Sequence, residues 1–334
     1  MSAPLLELRA VSKRFRRPMS LGDRLAAKLG AQVETREVRA VDCVSLAIDR
    51  GETLGLVGES GCGKSTLGRV AAGILPPDEG EALLAGERVM SAGTHPRKLT
   101  TRVQTVFQDP FASLNPRRRI GDAIAEGPVA HGLVDRADSR AYVAEWLGRV
   151  GLDPSYAGRY PHQFSGGQRQ RIAVARALAM KPDLLICDEP VASLDVSIQA
   201  QVLNLFLELR RALNLTALFI SHDLGVVRHV SDRVAIMYLG RIVEQGPTAA
   251  IYAAPKHPYT QALLASVPRL KRRREQRHDF RPIAGELPSP LAPPPGCHFH
   301  PRCPLAEPRC KTAVPPLRGA GQQRLAACHL VPEA

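Results

Sequence analysis

Nine consecutive residues, Gly58-Glu59-Ser60-Gly61-Cys62-Gly63-Lys64-Ser65-Thr66, fit the spacing G-x-x-x-x-G-K-[ST] at Gly58, Gly63, Lys64 and Ser65. Glycines there let successive backbone N–H groups turn inward and cradle phosphate oxygens. Lys64 brings a point charge to the β and γ phosphates, and the Ser65 hydroxyl suits Mg²⁺. The helix that must follow aims its positive end at the same anion. The chemistry this predicts is binding of a nucleoside triphosphate. A second cluster closes the run Leu184-Leu185-Ile186-Cys187-Asp188-Glu189, where an apolar strand ends in two acids. Asp188 is placed to hold the Mg²⁺, and Glu189 to polarise an attacking water.

The elements that must position these groups are readable in outline. Thr53-Leu54-Gly55-Leu56-Val57 is a short buried strand feeding the glycine loop, and a helix over Leu67 to Ile74 should end at Pro76-Pro77. Leu184 to Cys187 and Ala217 to Ile220 are further apolar strands; Ile172 to Leu178 and Val196 to Leu213 have helical composition. Strands alternating with helices predict an α/β fold with a parallel sheet covered on both faces. Leu5 to Phe15 and Val38 to Ile48 read as strands, residues 16 to 37 as a loop with a short helix, and Val234 to Glu244 as a hairpin. After Gly246 prolines cluster, and a separate C-terminal appendage is expected.

The 334 residues suffice for one large domain and an appendage, and a 44% hydrophobic content argues against wholesale disorder. A net charge of +13 draws the chain to anionic surfaces, but aromatic residues at 4% do not support base-stacking platforms. The basic stretch Arg269 to Arg281 reads as a solvated linker. Neither a signal peptide nor a run of ~18 apolar residues is found, so a cytosolic location is expected. In that compartment seven cysteines favour metal or redox chemistry over disulfides. Cys297, Cys303, Cys310 and Cys328 leave gaps of five, six and seventeen residues, which is no zinc-ribbon spacing. Spacing alone leaves zinc and an iron–sulfur cluster both open, with His298, His300 and His329 nearby. Cys62 reads as a tolerated small residue of the loop, where a thiol reagent would block ATP by bulk, so maleimide is expected to inactivate the protein and ATP to protect it.

Phe164-Ser165-Gly166-Gly167-Gln168 resembles the signature of ATP-binding cassette (ABC) ATPases, with Phe where Leu is more usual. The order of phosphate loop, Gln108, signature, Asp188-Glu189, Ser193-Leu194-Asp195 and His222 also fits that family. Within it the chain is similar to the second ATPase subunit of dipeptide/oligopeptide importers. Phe111 to Arg117, Tyr160 to Phe164, His257 to Leu263 and Gly285 to Pro290 carry that narrower match. The resemblance implies a P-loop NTPase fold with a RecA-like core, an antiparallel β subdomain and a helical subdomain at about 110–165. The ATPase domain would span 1–245 and a regulatory, metal-binding region 246–334.

Ser165 should cap a helix whose first turn offers the N–H groups of Gly166 and Gly167, an anion site without a lysine of its own. In the family such a signature, with Gln168, closes on the γ-phosphate held by another subunit. The resemblance makes His222 the switch histidine, Gln108 a Q-loop residue sensing Mg²⁺, and Asp195 the acid linking the two sites. Phe15 is either the aromatic that stacks on adenine or an ordinary core residue. The resemblance also tips the four tail cysteines toward a [4Fe–4S] cluster, with Zn²⁺ as the alternative.

The implied function is an ATP-hydrolysing subunit of a bacterial importer at the cytoplasmic face of the inner membrane. Its partners would be a paralogous ATPase, two transmembrane permeases and, indirectly, an extracytoplasmic solute-binding protein, with no nucleic acid. Dipeptides or oligopeptides lead as solutes over nickel or glutathione. The competing class, a soluble ABC ATPase acting on nucleic acid or the ribosome, is favoured only by the basic charge. Gln108 and Ser165 are too close to hold a long coiled-coil arm between them.

Overall fold

The computed structural model describes residues 3–16, 37–93, 95–109, 113–266 and 283–332. Almost all of the loop expected over 16–37, and the whole basic stretch Arg269 to Arg281, lie outside them.

The chain opens with strands β1 (Leu6–Arg16), β2 (Glu37–Ile48) and β3 (Thr53–Val57), followed by helix α1 (Lys64–Ala71). Next come β4 (Glu79–Leu84), β5 (Glu87–Arg88) and β6 (Val103–Val106). A helical insertion follows, with α2 (Ile120–Ala130) and α3 (Ser139–Arg149) leading to α4 (Gly166–Leu178). The core resumes with β7 (Leu184–Asp188), α5 (Val196–Leu213), β8 (Thr216–Ser221), α6 (Leu224–Val230), β9 (Arg233–Tyr238) and β10 (Arg241–Pro247). The C-terminal region holds α7 (Thr248–Ala253), α8 (Pro258–Ala265), α9 (Pro308–Thr312), β11 (Arg318–Gly319) and β12 (Leu325–Ala326).

Two sheets result. The smaller has the order β2-β1-β4-β5 and is antiparallel. The larger has the order β11-β12-β10-β9-β3-β8-β7-β6. Its stretch from β9 to β6 is parallel, as the apolar strands between helices require. β3, β7 and β8 are buried at every position, so they read as continuous apolar runs rather than alternating ones. One core joins the small sheet and α1 to one face of the large sheet, through Leu6, Val41, Leu54, Leu67, Ile186 and Ile220. The other joins the helical insertion and α5 to the opposite face, through Trp146, Ile172, Phe206 and Phe219. Burying a side chain of that size contributes ~1.5–3 kcal/mol, so both faces anchor the strand ends that carry the site.

Two expectations change. Helix α1 ends at Ala71, with Gly73 in the left-handed region at φ +66°, before the prolines at 76 and 77 are reached. The left-handed glycine turns the chain three residues before the first proline, so the helix has already ended there. The C-terminal region is also joined to the ATPase sheet: β12 pairs with β10 at Glu244↔Ala326 and Gln245↔Leu325. Among the described residues, no helix is long and apolar enough to cross a membrane.

Candidate nucleotide site

The phosphate loop runs from the end of β3 into α1, and steric contact requires glycine at 58 and 63. A Cβ on Gly58 would lie 2.1 Å from the Met237 carbonyl oxygen of β9, and one on Gly63 would lie 2.0 Å from that of Ala40 on β2. Gly61 and Gly63 have φ of +77° and +107°, a region that side chains avoid. Lys64 is 4% exposed, and its ammonium donates to the carbonyls of Gly58 at 2.8 Å and Glu59 at 3.1 Å. The cation is thus held inside the ring of backbone that a phosphate would enter. Cys62 is 1% exposed, and burial pushes its thiol above the ordinary range. That reverses the expectation of ready maleimide attack, because the reactive thiolate is disfavoured and out of reach.

Strand ends bring the acids to this loop. Ser65 Oγ donates to Asp188 Oδ1 at 2.8 Å, across 123 residues of sequence. Burial raises the Asp188 carboxyl, against the lowering effect of that hydrogen bond. An oxygen pair of this kind, half buried beside a phosphate cradle, has the chemistry of a Mg²⁺ site. Glu189 follows with a left-handed φ of +49°, a backbone cost of about 1–3 kcal/mol that marks positions under functional constraint. Its N–H donates to the Ile220 carbonyl at 3.0 Å, locking the turn to β8. Its carboxylate lies 3.2 Å from His222 Nδ1, just beyond the end of β8. Lys64, Ser65, Asp188, Glu189 and His222 are therefore gathered at the C-terminal ends of adjacent parallel strands, where open α/β sheets bind ligands.

Ser165 behaves as expected. It is the N-cap of α4, with its side chain accepting from the Gln168 N–H at 3.3 Å while Gln168 Oε1 accepts from the Ser165 N–H at 3.0 Å. Gly167 is buried, and a Cβ there would lie 2.3 Å from Ile198 Cγ2 of α5; Gly166 is exposed and lies near Leu194. The loop leading from Glu189 to Asp195 thus packs on the signature of the same chain. Asp195 is the exposed N-cap residue of α5, and the adjoining Val196 is 84% exposed. Gln108 is exposed beyond the end of β6. Phe15 is 43% exposed near the end of β1, with Lys13 Nζ 5.9 Å from its ring, so it is not a core residue. Ser60 is exposed on the loop, and Thr66 is half-buried in the first turn of α1.

Burial raises the Cys297, Cys303 and Cys328 thiols, that of Cys297 to about 11, and charge on Cys310 adds to each. Even so, among the described residues no group of three or more His, Cys, Asp or Glu is drawn together as a metal site. The donor types suit a soft metal; their spacing is not that of a formed site.

Sequence reading missed two residues of the tail that reach the phosphate loop. The Tyr259 hydroxyl accepts from the Glu59 N–H at 3.0 Å. Arg302 makes a two-pronged ion pair with the Glu59 carboxylate, at 2.8 and 3.2 Å. Contacts spanning 200 and 243 residues leave no local pattern; the motif around Tyr259 was the available signal.

Comparison with known proteins agrees with this geometry. Residues 41–192 match the ABC transporter family, and residues 243–310 match the oligopeptide/dipeptide transporter C-terminal region. The oligopeptide transport ATP-binding protein AppF of Bacillus subtilis (strain 168) is 51% identical over 328 residues, covering 98% of this chain and 97% of that protein. The di/tripeptide transport ATP-binding protein DppF of Pseudomonas aeruginosa (strain UCBPP-PA14) is 50% identical over 297 residues, covering 88% and 90%. The structure of cbiO1 from Clostridium perfringens, part of the ABC transporter complex cbiONQ, superposes with a TM-score of 0.60 at 26% identity, covering 75% and 92%. A phosphate cradle, an acid pair at a strand end, a capped signature helix and a matching C-terminal region on one chain place it in the ABC transporter ATPase family, among the ATP-hydrolysing subunits of oligopeptide/dipeptide transporters.

Proposed function

We propose that this ATPase drives import of dipeptides or oligopeptides by closing on ATP together with a paralogous subunit. The observation that carries the shared site is the division of labour within the chain. The phosphate loop is furnished with Lys64, Ser65 and Asp188, whereas Ser165, Gly166, Asp195 and Val196 face outward. An exposed anion-binding helix start and an exposed valine beside it suit a face that meets ATP held by another subunit. Glu189 acts as general base, oriented by His222; Lys64 holds the β and γ phosphates; Phe15 stacks on adenine. Mg²⁺ would be held by Ser65, Asp188 and Gln108, where it would neutralise phosphate charge. Gln108 passes the state of the site to two membrane permeases.

The peptide substrate rests on the names of the relatives and the match over residues 243–310. The chain lies against the cytoplasmic face of the membrane through its permeases, and an extracytoplasmic binding protein selects the solute. Residues 1–245 form the ATPase domain, with its helical part at about 110–165, and 246–334 the regulatory region. The resemblance alone makes Cys297, Cys303, Cys310 and Cys328 a ligand set for a [4Fe–4S] cluster or zinc, and they would have to draw closer to hold either; iron, sulfide and zinc content after anaerobic purification decides between them, and metal-free protein rejects both. Affinity purification from native membranes tests the main reading: permeases and a second ATPase should accompany the chain, and recovery with ribosomes or nucleic acid would reject it.

A further inference from the structure

Glu59 is the second residue of the phosphate loop, and three contacts hold it. Its N–H donates to Tyr259 Oη at 3.0 Å, its carboxylate receives Arg302, and its carbonyl receives the Lys64 ammonium at 3.1 Å. Two of the three partners belong to the C-terminal region. Their seat is an aromatic cluster: Tyr238 at the end of β9 lies 4.6 Å from Tyr259 and 5.3 Å from Phe299, centroid to centroid, and Tyr259 lies 5.4 Å from Phe299. Tyr238, Tyr259 and Phe299 are all fully buried. Arg302 follows Phe299 by one short turn, immediately before Cys303. Its side chain is 6% exposed and also donates to Tyr238 Oη at 3.4 Å and to the Ala284 carbonyl at 3.2 Å.

We propose that Arg302 is a positioning residue for ATP binding, which neutralises Glu59 and so keeps Lys64 available to phosphate. The proposal rests on the ATPase activity of the family, and Arg302 acts through Glu59 rather than on ATP itself. A bidentate guanidinium–carboxylate pair is strong and fixed in orientation. Without it, the Glu59 carboxylate stands as an unneutralised anion on the loop that must receive a triphosphate. It would repel the nucleotide and compete with it for the Lys64 ammonium. The tail thus sets the charge of the phosphate loop from 243 residues away in sequence.

The test compares full-length wild type with Arg302→Gln, Glu59→Gln, the double variant and Arg302→Lys. KM for ATP, kcat, and the dissociation constant for ATP by calorimetry are measured at low and high salt. Arg302→Gln should raise KM and the dissociation constant about tenfold with kcat within about twofold of wild type, and added salt should shrink the effect. Glu59→Gln, which removes the anion, should bind ATP more tightly than Arg302→Gln. The double variant should recover most of the lost affinity, since the stranded anion is gone. A purely structural role predicts the reverse, with the double variant as poor as Arg302→Gln or worse. That result, or an unchanged KM in Arg302→Gln, overturns the proposal. Arg302→Lys, which keeps the charge but not the fork, should lie between wild type and Arg302→Gln; if Arg302→Gln fails to fold, Glu59→Gln is added to Arg302→Lys instead, and no gain in ATP affinity from that second substitution overturns the proposal equally. Wild type without ATPase activity would instead reject the enzymatic function on which the proposal stands.

Discussion

The chain contains two glycine loops that open helices, and they are built in opposite ways. Gly58 to Thr66 is enclosed: β2 and β9 press on its glycines from outside and a buried lysine fills it from within. Ser165 to Gln168 is open: its capping box uses its own residues, and Ser165 and Gly166 face outward. Both offer N–H groups to an anion, but only the first carries a cation. An enclosed loop of this kind can hold phosphate by itself. An open, lysine-free loop adds a second shell of donors only when another molecule brings the phosphate to it. On the proposed function, this difference would let one chain bind ATP alone and complete the hydrolytic site only with another subunit.

The contrast can be broken most severely at Glu189. Glu189→Gln should lower kcat by ~10²–10⁴ while leaving ATP affinity near wild type, and should accumulate the ATP-bound dimer on size-exclusion chromatography; near-normal turnover would remove Glu189 from the chemistry. Glycine substitutions come next. Gly63→Ala forces a Cβ against the Ala40 carbonyl, in a left-handed backbone, and should destabilise the fold by about 2–3 kcal/mol in chemical denaturation and abolish ATP binding. Gly166→Ala meets Leu194 at an ordinary 3.5 Å and should leave stability within about 0.5 kcal/mol. Equal effects at the two positions would refute the enclosed-versus-open distinction. Ser165→Ala should cost about 1 kcal/mol of stability through the lost cap and reduce hydrolysis, yet leave ATP affinity of the isolated subunit unchanged. The smallest effect is expected at Cys62: maleimide should label the folded protein at Cys62 far more slowly than at exposed Cys43, as mass spectrometry of digests can show.

What could be read from sequence follows the same division. The phosphate loop, the acids ending β7 and the Ser165 cap were legible because each is written in a few contiguous residues with fixed chemistry. The parallel sheet was legible because β3, β7 and β8 are short, wholly apolar runs between helical stretches. The end of α1 was misplaced because two prolines drew attention from Gly73, which had already turned the chain. The Cys62 thiol was misjudged because sequence reports a loop and not its burial. The pair Arg302–Glu59 was invisible because folding alone brings its members together.

The pairing of β12 with β10 has a consequence for shortening the chain. Residues 325–326 supply hydrogen-bond partners to Glu244 and Gln245, beside a Glu244 carboxylate that is fully buried and accepts from the N–H groups of Lys256 and His257. Truncation before residue 318 would strip β11 and β12 from the sheet and leave β10 as a bare edge. Unpaired edges recruit strands from other molecules. The last turns of this chain therefore act as a guard against self-association, and the shortened protein should aggregate even where its phosphate loop is intact.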